Sequence, residues 1–413
     1  MSRLRYLDPS EAYHAFVDWS GSYSIAIDGA VDTDRLIRAF EALCDAVPLL
    51  TGSLGRDEKG YFFRIPPGQR PETTVRHVAG AGTERESAYL AEMARPLDSG
   101  RGLCRLVLVR GQDTAHVILV LHHSMIDGRG GVTLLEKLCR NYTALTEGRT
   151  PPYAAPEAPA QLSAETLLKT RGPAGVDESA VDRAALRAAL AAAPSPPPLP
   201  VVPGRLRLDA RETSSLRASL RADGCSVHAF VAGAATVAVR EGRPEPGTPD
   251  LVCGCPVDLR GRTDPPVTVE ESTNFVSGVE TSVPVPRGAD PTEVGRVIKE
   301  RLDKAIDSGE AERAILQAGQ FAAAEPVSVD LVVTNLGPLP EFTAPAGLRV
   351  TDFRGYTTTT MHGLLLFVVT SYGGRLSIEI TSPEGLLSAQ ERTALADRTA
   401  ELLRARTTNQ ERA

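Results

Sequence analysis

The sequence predicts a mixed α/β protein built from two lobes, and three observations lead to that fold class. The chain has 413 residues, more than one hydrophobic core usually serves, so two domains are expected. Both halves mix strand-like apolar runs with helix-like periodicity, and each half contains a hairpin. A region rich in proline and alanine separates them. We therefore predict an N-terminal lobe at 1–150, a crossover linker at 151–204 and a C-terminal lobe at 205–413.

In the N-terminal half, the patterns predict a central hairpin flanked by helices. Asp32 or Thr33 can cap a helix that has one apolar face. The turn at 111–114 separates two apolar runs and is typical of a hairpin. The predicted strands are 24–28, 61–65, 103–110 and 115–122, and the predicted helices are 33–47, 84–93 and 132–145.

In the C-terminal half, strands and helices again follow in mixed order. Prolines open and close the linker before it, and its alanine-rich middle is compatible with a helix. Gly373-Gly374 joins a second hairpin, and Ser388 with Glu391 forms a capping box for the last helix. The predicted strands are 205–208, 251–257, 274–283, 327–333, 348–353, 364–372 and 375–381, and the predicted helices are 210–221, 226–242 and 291–307.

Composition and charge exclude several classes of partner. Lys and Arg number 45 against 52 Asp and Glu, so the formal net charge is −7. This balance argues against nucleic acid or an anionic membrane as the main partner. The N-terminus lacks the apolar core of a signal peptide, and no stretch approaches the roughly eighteen apolar residues of a membrane span. We expect a cytoplasmic protein whose six cysteines are reduced.

The candidate chemistry lies in the stretch 122–128, His-His-Ser-Met-Ile-Asp-Gly, which follows an apolar strand and precedes a helix. Imidazole has the side-chain pKa nearest working pH, so a histidine held in such a turn suits a general base. Adjacent histidines on extended backbone point to opposite faces, so one of His122 and His123 should catalyse and the other support. Asp127 either orients the ring or pairs with a distant cation. Gly128 leaves room for a ligand or another backbone segment.

Two other interpretations of this stretch remain open at this point. A solvated turn with a buried structural histidine fits the same letters. A metal site would use His123 and Asp127 at positions i and i+4, but zinc needs about three protein ligands. No HExxH or paired CxxC motif supplies the others, so we predict no metal.

The stretch 122–128 resembles the HHxxxDG motif of the superfamily that includes chloramphenicol acetyltransferase, peptide-synthetase condensation domains and the polyketide-associated acyltransferases. It is most similar to the last group, of the phthiocerol dimycocerosyl transferase type. The segment 352–356 departs from the DFGWG motif of plant-type relatives because it lacks the tryptophan. Supporting segments in matching order are 96–98, 103–106, 256–260, 274–276, 334–337 and 372–376.

The resemblance implies two chloramphenicol-acetyltransferase-like lobes that form a V-shaped pseudo-dimer with an active-site tunnel between them. It implies that His123 acts at mid-tunnel as the general base. An acyl thioester on CoA or on an acyl carrier protein would be the co-substrate, with no bound cofactor and no covalent acyl-enzyme. The acceptor would be a small molecule.

The resemblance also implies roles for the neighbours of His123. Asp127 would form a structural salt bridge, for which Arg260 is the expected partner, and His122 would point away from the tunnel in support. Gly128 would leave tunnel space for the acyl or pantetheine chain.

The donors that stabilise the oxyanion are less defined by the sequence. Thr334 and Asn335 are candidates for oxyanion or substrate contacts, although each suits a structural turn equally well. His362 near a predicted strand is expected to be structural.

Several functions fit these residues. The first is an acyltransferase that esterifies a hydroxyl of a natural product or lipid. The second is a stand-alone condensation enzyme that forms an amide, since the motif does not distinguish oxygen from nitrogen acceptors. The third is a non-catalytic protein that binds acyl carriers, although such relatives usually lose the second histidine and His123 is present. A hydrolase is a fourth, with water as the acceptor.

Overall fold

The computed structural model describes residues 3–78, 83–156, 161–173, 182–194, 200–316, 329–358 and 363–408. In these ranges the strands and helices alternate in both halves, which confirms the predicted mixed α/β class. The strands are β1 (Arg3–Tyr6), β2 (Ser20–Asp28), β3 (Ser53–Asp57), β4 (Gly60–Arg64), β5 (Glu72–His77), β6 (Cys104–Arg110), β7 (Thr114–His122), β8 (Val201–Leu208), β9 (Asp250–Asp258), β10 (Val276–Pro284), β11 (Leu331–Pro338), β12 (Arg349–Thr358), β13 (Leu366–Tyr372) and β14 (Arg375–Pro383). The helices are α1 (Pro9–Phe16), α2 (Thr33–Ala46), α3 (Thr83–Ala94), α4 (Gly128–Thr146), α5 (Ala164–Arg171), α6 (Arg183–Ala192), α7 (Ala210–Ala222), α8 (Val227–Glu241), α9 (Pro291–Asp307), α10 (Glu310–Leu316) and α11 (Ala389–Thr408).

The first large sheet is built around the predicted N-terminal hairpin and has the strand order β12-β2-β7-β6-β5. The hairpin strands β6 and β7 are antiparallel, and β2 continues the antiparallel pattern on the other side of β7. Helices α2 and α4 cover one face of the sheet, with buried Phe40, Leu43 and Leu135 in that core. The strand that leads to the histidines is therefore central and paired on both sides.

The second large sheet contains the C-terminal hairpin and has the order β10-β9-β11-β13-β14-β8. Strand β11 runs parallel to both β9 and β13, whereas the other pairs are antiparallel. Helices α8 and α9 pack in a separate hydrophobic core on this sheet. A smaller sheet of order β1-β4-β3 flanks the first one.

Strand β12 connects the two halves of the chain. It pairs antiparallel with β2 over the register Arg349↔Asp28 to Thr358↔Ser20. The predicted boundary places 205–413 in the C-terminal lobe, yet this strand lies in the sheet of the N-terminal half. The lobes are thus joined by backbone hydrogen bonds as well as by side chains.

Local signals predicted the longer elements well. The Asp32 carboxylate accepts a hydrogen bond from Arg35 N at 2.9 Å, as expected of an N-cap. Ser388 and Glu391 form the predicted capping box, with Ser388 N donating to Glu391 Oε2 at 2.7 Å and Glu391 N donating to Ser388 Oγ at 3.2 Å.

The elements absent from the prediction are short and depend on tertiary contacts: β1, α1, β3, β5 and α10. The crossover contains two helices, α5 and α6. Strand β11 begins at Leu331, later than the predicted 327, and residues 327 and 328 lie outside the described residues. His362 also lies outside them, so its expected structural role stays a prediction.

No single helix in the described part of the chain is long and apolar enough to cross a membrane. Helices α7 and α8 reach the length and apolar composition of a membrane span only when they are taken together, and they meet at a bend of 102°.

Helices α8 and α9 cross so closely that glycine is required on both. A Cβ added at Gly233 would lie closer than 3.0 Å to Pro291 O and to Gly295 N. A Cβ added at Gly295 would approach Ala229 O just as closely. Because these neighbours are backbone atoms, they cannot rotate away.

We therefore expect Gly295→Ala to lower the free energy of unfolding by about 3 kcal/mol, the upper end of the range for an overpacked core. Urea unfolding followed by circular dichroism measures the change. Gly278→Ala is the matched control, because a Cβ at this exposed strand position meets no atom within 4 Å. Equal midpoints for the two variants would contradict the close crossing.

Candidate functional site

The stretch 122–128 forms the predicted turn between a strand and a helix. Strand β7 ends at His122, and α4 begins at Gly128 with Asp127 as its N-cap. The backbone of the turn is tied to its surroundings, since His122 N donates to Leu103 O at 2.9 Å and His123 N donates to Trp19 O at 2.7 Å. Rigid elements on both sides therefore hold the two histidines.

Asp127 and Arg260 form a buried ion pair between the two halves of the chain. Arg260 Nη2 donates to Asp127 Oδ2 at 2.6 Å, and the two side chains are 7% and 0% exposed. Asp127 Oδ2 also accepts from Phe275 N at 3.0 Å, while Oδ1 accepts from Gly130 N at 3.0 Å. One carboxylate thus caps α4 and binds two points of the C-terminal half.

Burial alone would raise the pKa of Asp127, but the Arg260 guanidinium and the two backbone N–H donors hold it below its usual value. Arg260 is itself fixed, because its Nε and Nη2 donate to Ser272 Oγ at 3.0 and 2.8 Å. The pair is therefore ionised at neutral pH and its hydrogen-bonding groups are satisfied.

His122 is fully buried and turned towards local partners. Its Nδ1 accepts from Ser124 N at 3.2 Å and lies 2.8 Å from Ser124 Oγ. Nε2 consequently carries the ring hydrogen and lies 3.4 Å from Asp18 Oδ1. Asp18 has a φ of 43°, in the left-handed region that a non-glycine residue rarely adopts.

His123 lies among three side chains from other segments and is partly exposed to solvent. Its ring stacks on His14 with centroids 5.0 Å apart, and the Trp19 ring is 5.6 Å away. Asn274 Nδ2 lies 2.9 Å from His123 Nδ1 and donates to His123 O at 3.2 Å. In the described part of the chain, no hydrogen bond involves His123 Nε2, which is the atom available to a substrate.

The surroundings keep His123 neutral. Burial lowers its pKa to about 4, an effect that nearby His122 strengthens. The Asp127 charge and a hydrogen bond from the ring to its own backbone oppose the shift without reversing it. At neutral pH the ring therefore has a free lone pair. The two amide hydrogens of Asn274 go to His14 Nε2 and His123 O, so His123 Nδ1 carries the ring hydrogen and the lone pair is on Nε2.

Asn274 and His14 are the site residues that sequence reasoning missed. Asn274 belongs to a segment that supported the family resemblance, which was a signal for its importance. His14 lies on the short helix α1, and no local pattern indicated that this helix would reach the motif. Trp19 lies beside His123, whereas Tyr23 is buried in the core.

The remaining predicted residues lie on strand β11 and at the start of α4. Asn335 Oδ1 accepts from Gly337 N at 2.8 Å, which is a local turn contact. Across the described residues, no hydrogen bond joins Thr334 or Asn335 to His123, so their contacts to an oxyanion or substrate stay a prediction. A Cβ at Gly128 would lie 2.6 Å from Leu336 Cδ2, so the missing side chain accommodates this leucine.

Metal ligation has no support in the described ranges, where no group of three or more His, Cys, Asp or Glu side chains could hold an ion. The arrangement around His123 consists of neutral imidazoles, an amide and an indole. Neutral imidazoles of this kind suit proton transfer.

Two family models match overlapping segments of the chain. Residues 197–381 match the family described as phthiocerol/phthiodiolone dimycocerosyl transferase C-terminus. Residues 74–230 match the wax ester synthase/diacylglycerol acyltransferase catalytic domain. The chain is 28% identical over 409 residues to a phthiocerol/phthiodiolone dimycocerosyl transferase of Mycobacterium ulcerans, covering 94% of each chain. The enzyme of the same name from Mycobacterium tuberculosis is 28% identical over 394 residues, covering 92% of each.

Solved structures extend the similarity to the whole fold. Polyketide synthase associated protein 5 from Mycobacterium tuberculosis superposes with a TM-score of 0.79 at 25% identity, covering 98% of each chain. The first condensation domain of the calcium-dependent antibiotic synthetase has a TM-score of 0.71 at 19% identity, covering 98% of this chain and 97% of that one. The chain is an acyltransferase that is similar over most of its length to the phthiocerol/phthiodiolone dimycocerosyl transferases, and its fold is that of the condensation domain.

Proposed function

We propose that this enzyme transfers an acyl group from a thioester to a hydroxyl of a small natural product or lipid, with His123 as the general base. The donor is an acyl-CoA or an acyl carrier protein, and the names of the mycobacterial relatives support an acyl donor and a lipid acceptor. The observation that carries the proposal is the His123 ring itself. It is neutral and partly exposed, and Nε2 faces away from its protein contacts.

The reaction needs one proton acceptor and no covalent intermediate. The acceptor hydroxyl passes its proton to His123 Nε2 while its oxygen attacks the thioester carbonyl carbon. The resulting tetrahedral intermediate collapses, the C–S bond breaks and the ester is released. His123 then returns the proton to the departing thiolate. A thioester is already activated, so positioning of the two substrates and a base are sufficient.

The low pKa of His123 suits both proton transfers. A ring with a pKa of about 4 holds no proton at neutral pH, so every enzyme molecule begins with a free base. The same property makes the imidazolium a good acid, which favours return of the proton to sulfur. The low pKa also makes His123 a weaker base. A weak base is sufficient because the thioester is already activated.

In this proposal the neighbours of His123 have supporting roles. Asp127 and Arg260 shape the turn without transferring a proton, and His122 supports it from the buried side. The substrates reach His123 through a tunnel between the lobes, and the space at Gly128 is taken up by Leu336. Partial exposure of the ring supports such an access route. Thr334 and Asn335 remain candidates for contacts to the oxyanion or substrate.

Two other functions share the same site and are separated by assay. An amide-forming condensation enzyme would use the same base with an amine acceptor. A carrier-binding protein would bind the acyl carrier and produce nothing. The cytoplasmic location expected from the sequence remains part of the proposal.

The test is a panel of acyl-CoAs and acyl carrier proteins, incubated with alcohol and amine acceptors and followed by mass spectrometry. We expect ester products from the wild type and a loss of about 10² to 10⁴ in turnover for His123→Ala. His77→Ala is the matched control because His77 is exposed on β5. Equal turnover for wild type and His123→Ala would remove His123 as the base, and tight carrier binding without product would favour the binding protein.

The pH profile tests the neutral state of His123. The base must be unprotonated, so kcat/KM should change by less than about twofold between pH 8 and pH 5. It should fall only as the pH approaches the His123 pKa of about 4. Circular dichroism at each pH separates this limb from acid unfolding. An acid limb near pH 6.5, the value of an ordinary histidine, would contradict the proposed environment.

The role of Asp127 is tested by its stability effect. Asp127→Asn leaves the buried Arg260 charge without its partner, so we expect the free energy of unfolding to fall by about 3 to 5 kcal/mol. Asp258→Asn is the control, because Asp258 is partly exposed and 3.3 Å from Arg260, where a pair contributes about 1 kcal/mol or less. Wild-type stability in Asp127→Asn with only a rate loss would indicate that Asp127 acts directly in catalysis.

A further inference from the structure

We propose that Asn274 and His14 are positioning residues for His123, which hold its ring so that Nε2 alone faces the reactants. This inference rests on the proposed function, because it assigns the two residues a part in the same proton transfer. It adds a residue from each half of the chain to the machinery around the base.

Asn274 is held in one orientation, and its amide nitrogen contacts both His14 and His123. Its Oδ1 accepts from Val276 N at 3.1 Å, which directs the NH₂ group to the opposite side. That nitrogen lies 2.8 Å from His14 Nε2 and 2.9 Å from His123 Nδ1, and it donates to His123 O at 3.2 Å. Asn274 is 4% exposed, so water does not compete for these contacts.

The backbone beside Asn274 is fixed by the buried ion pair. Arg260 Nη2 donates to Thr273 O at 3.2 Å, and Phe275 N donates to Asp127 Oδ2. Both neighbours of Asn274 are therefore tied to groups that also set the turn after β7. The position of the amide relative to the His123 ring follows directly from these contacts.

His14 completes the enclosure from α1. Its ring lies nearly parallel to that of His123, at an interplanar angle of 24°, and also contacts Trp19 with centroids 5.7 Å apart. Burial and the two other histidines hold the pKa of His14 well below its usual value, so Nε2 can accept from Asn274. The stacked ring and the indole restrict rotation of the His123 ring about its Cβ–Cγ bond.

The groups that face His123 explain why the amide matters for proton affinity. Asp127 from the same turn raises the pKa of His123, and His122 lowers it. The remaining neighbours, His14 on α1 and Trp19 beside it, are neutral. The buried Asn274 amide keeps water away from the His123 ring. Removing the Asn274 side chain admits water, and hydration of the ring raises the pKa of His123.

The experiment compares Asn274→Ala and His14→Phe with the wild type in the ester-forming assay. We expect Asn274→Ala to lower kcat by up to about 10², the scale of a loss of orientation, with KM within about twofold. Its acid limb should move up from about pH 4 towards the ordinary histidine value of about 6.5. His14→Phe keeps the stacked ring and removes the acceptor, so a smaller loss is expected. His14→Gln keeps an acceptor for Asn274 and should recover part of that loss.

Asn141→Ala is the matched control for a structural asparagine. Asn141 is fully buried and donates to Ala39 O and Tyr153 O, away from the site. Its loss should reduce stability while kcat and the acid limb stay unchanged. If Asn274→Ala behaves like Asn141→Ala, the positioning role is wrong. The proposed function fails separately, by full turnover of His123→Ala.

Discussion

The buried carboxylate of Asp127 is the interaction on which the site depends. It satisfies the first turn of α4, pairs with Arg260 and accepts the backbone N–H of Phe275. Removing two charges from water costs several kcal/mol per ion, and only complete hydrogen bonding recovers it. Asp127 accepts from all three donors, so the geometry has little freedom. The turn that carries His123 and the strand entry that carries Asn274 are consequently fixed to one side chain.

A second ionic cluster joins the two large sheets farther along β2 and β12. Arg354 on β12 forms a two-point contact with Glu379 on β14, with both N–O distances at 2.9 Å. Arg205 on β8 pairs with Asp352 on β12 at 2.6 Å. The segment 352–356 lacks the tryptophan of plant-type relatives. Its charged residues instead hold β12, the strand of the C-terminal half that lies in the sheet of the N-terminal half. With the Asp127 pair, these contacts fix the relation between the two halves at two separate places.

The chemistry of the site follows from this rigidity. Three histidines lie close together, and two of them have pKa values below the ordinary range because the fold withdraws them from water. The buried Asp127–Arg260 ion pair fixes the backbone at the edge of the site, so neutral histidine rings can lie at its centre. Such a centre has a base that is unprotonated at neutral pH, which is what the proposed acyl transfer from a thioester requires.

Much of this protein was accessible from its sequence alone, because the relevant information is local. Periodicity and capping residues predicted the long helices and the central hairpin, and the strand-to-helix context of 122–128 indicated where the chemistry lies. Arg260 followed from its family segment. The pairing of β12 with β2, the approach of α1 to the motif and the contact of Asn274 with His123 join residues far apart in the chain. They depend on how the two cores pack and on which buried polar groups find partners, so only the tertiary structure decided them.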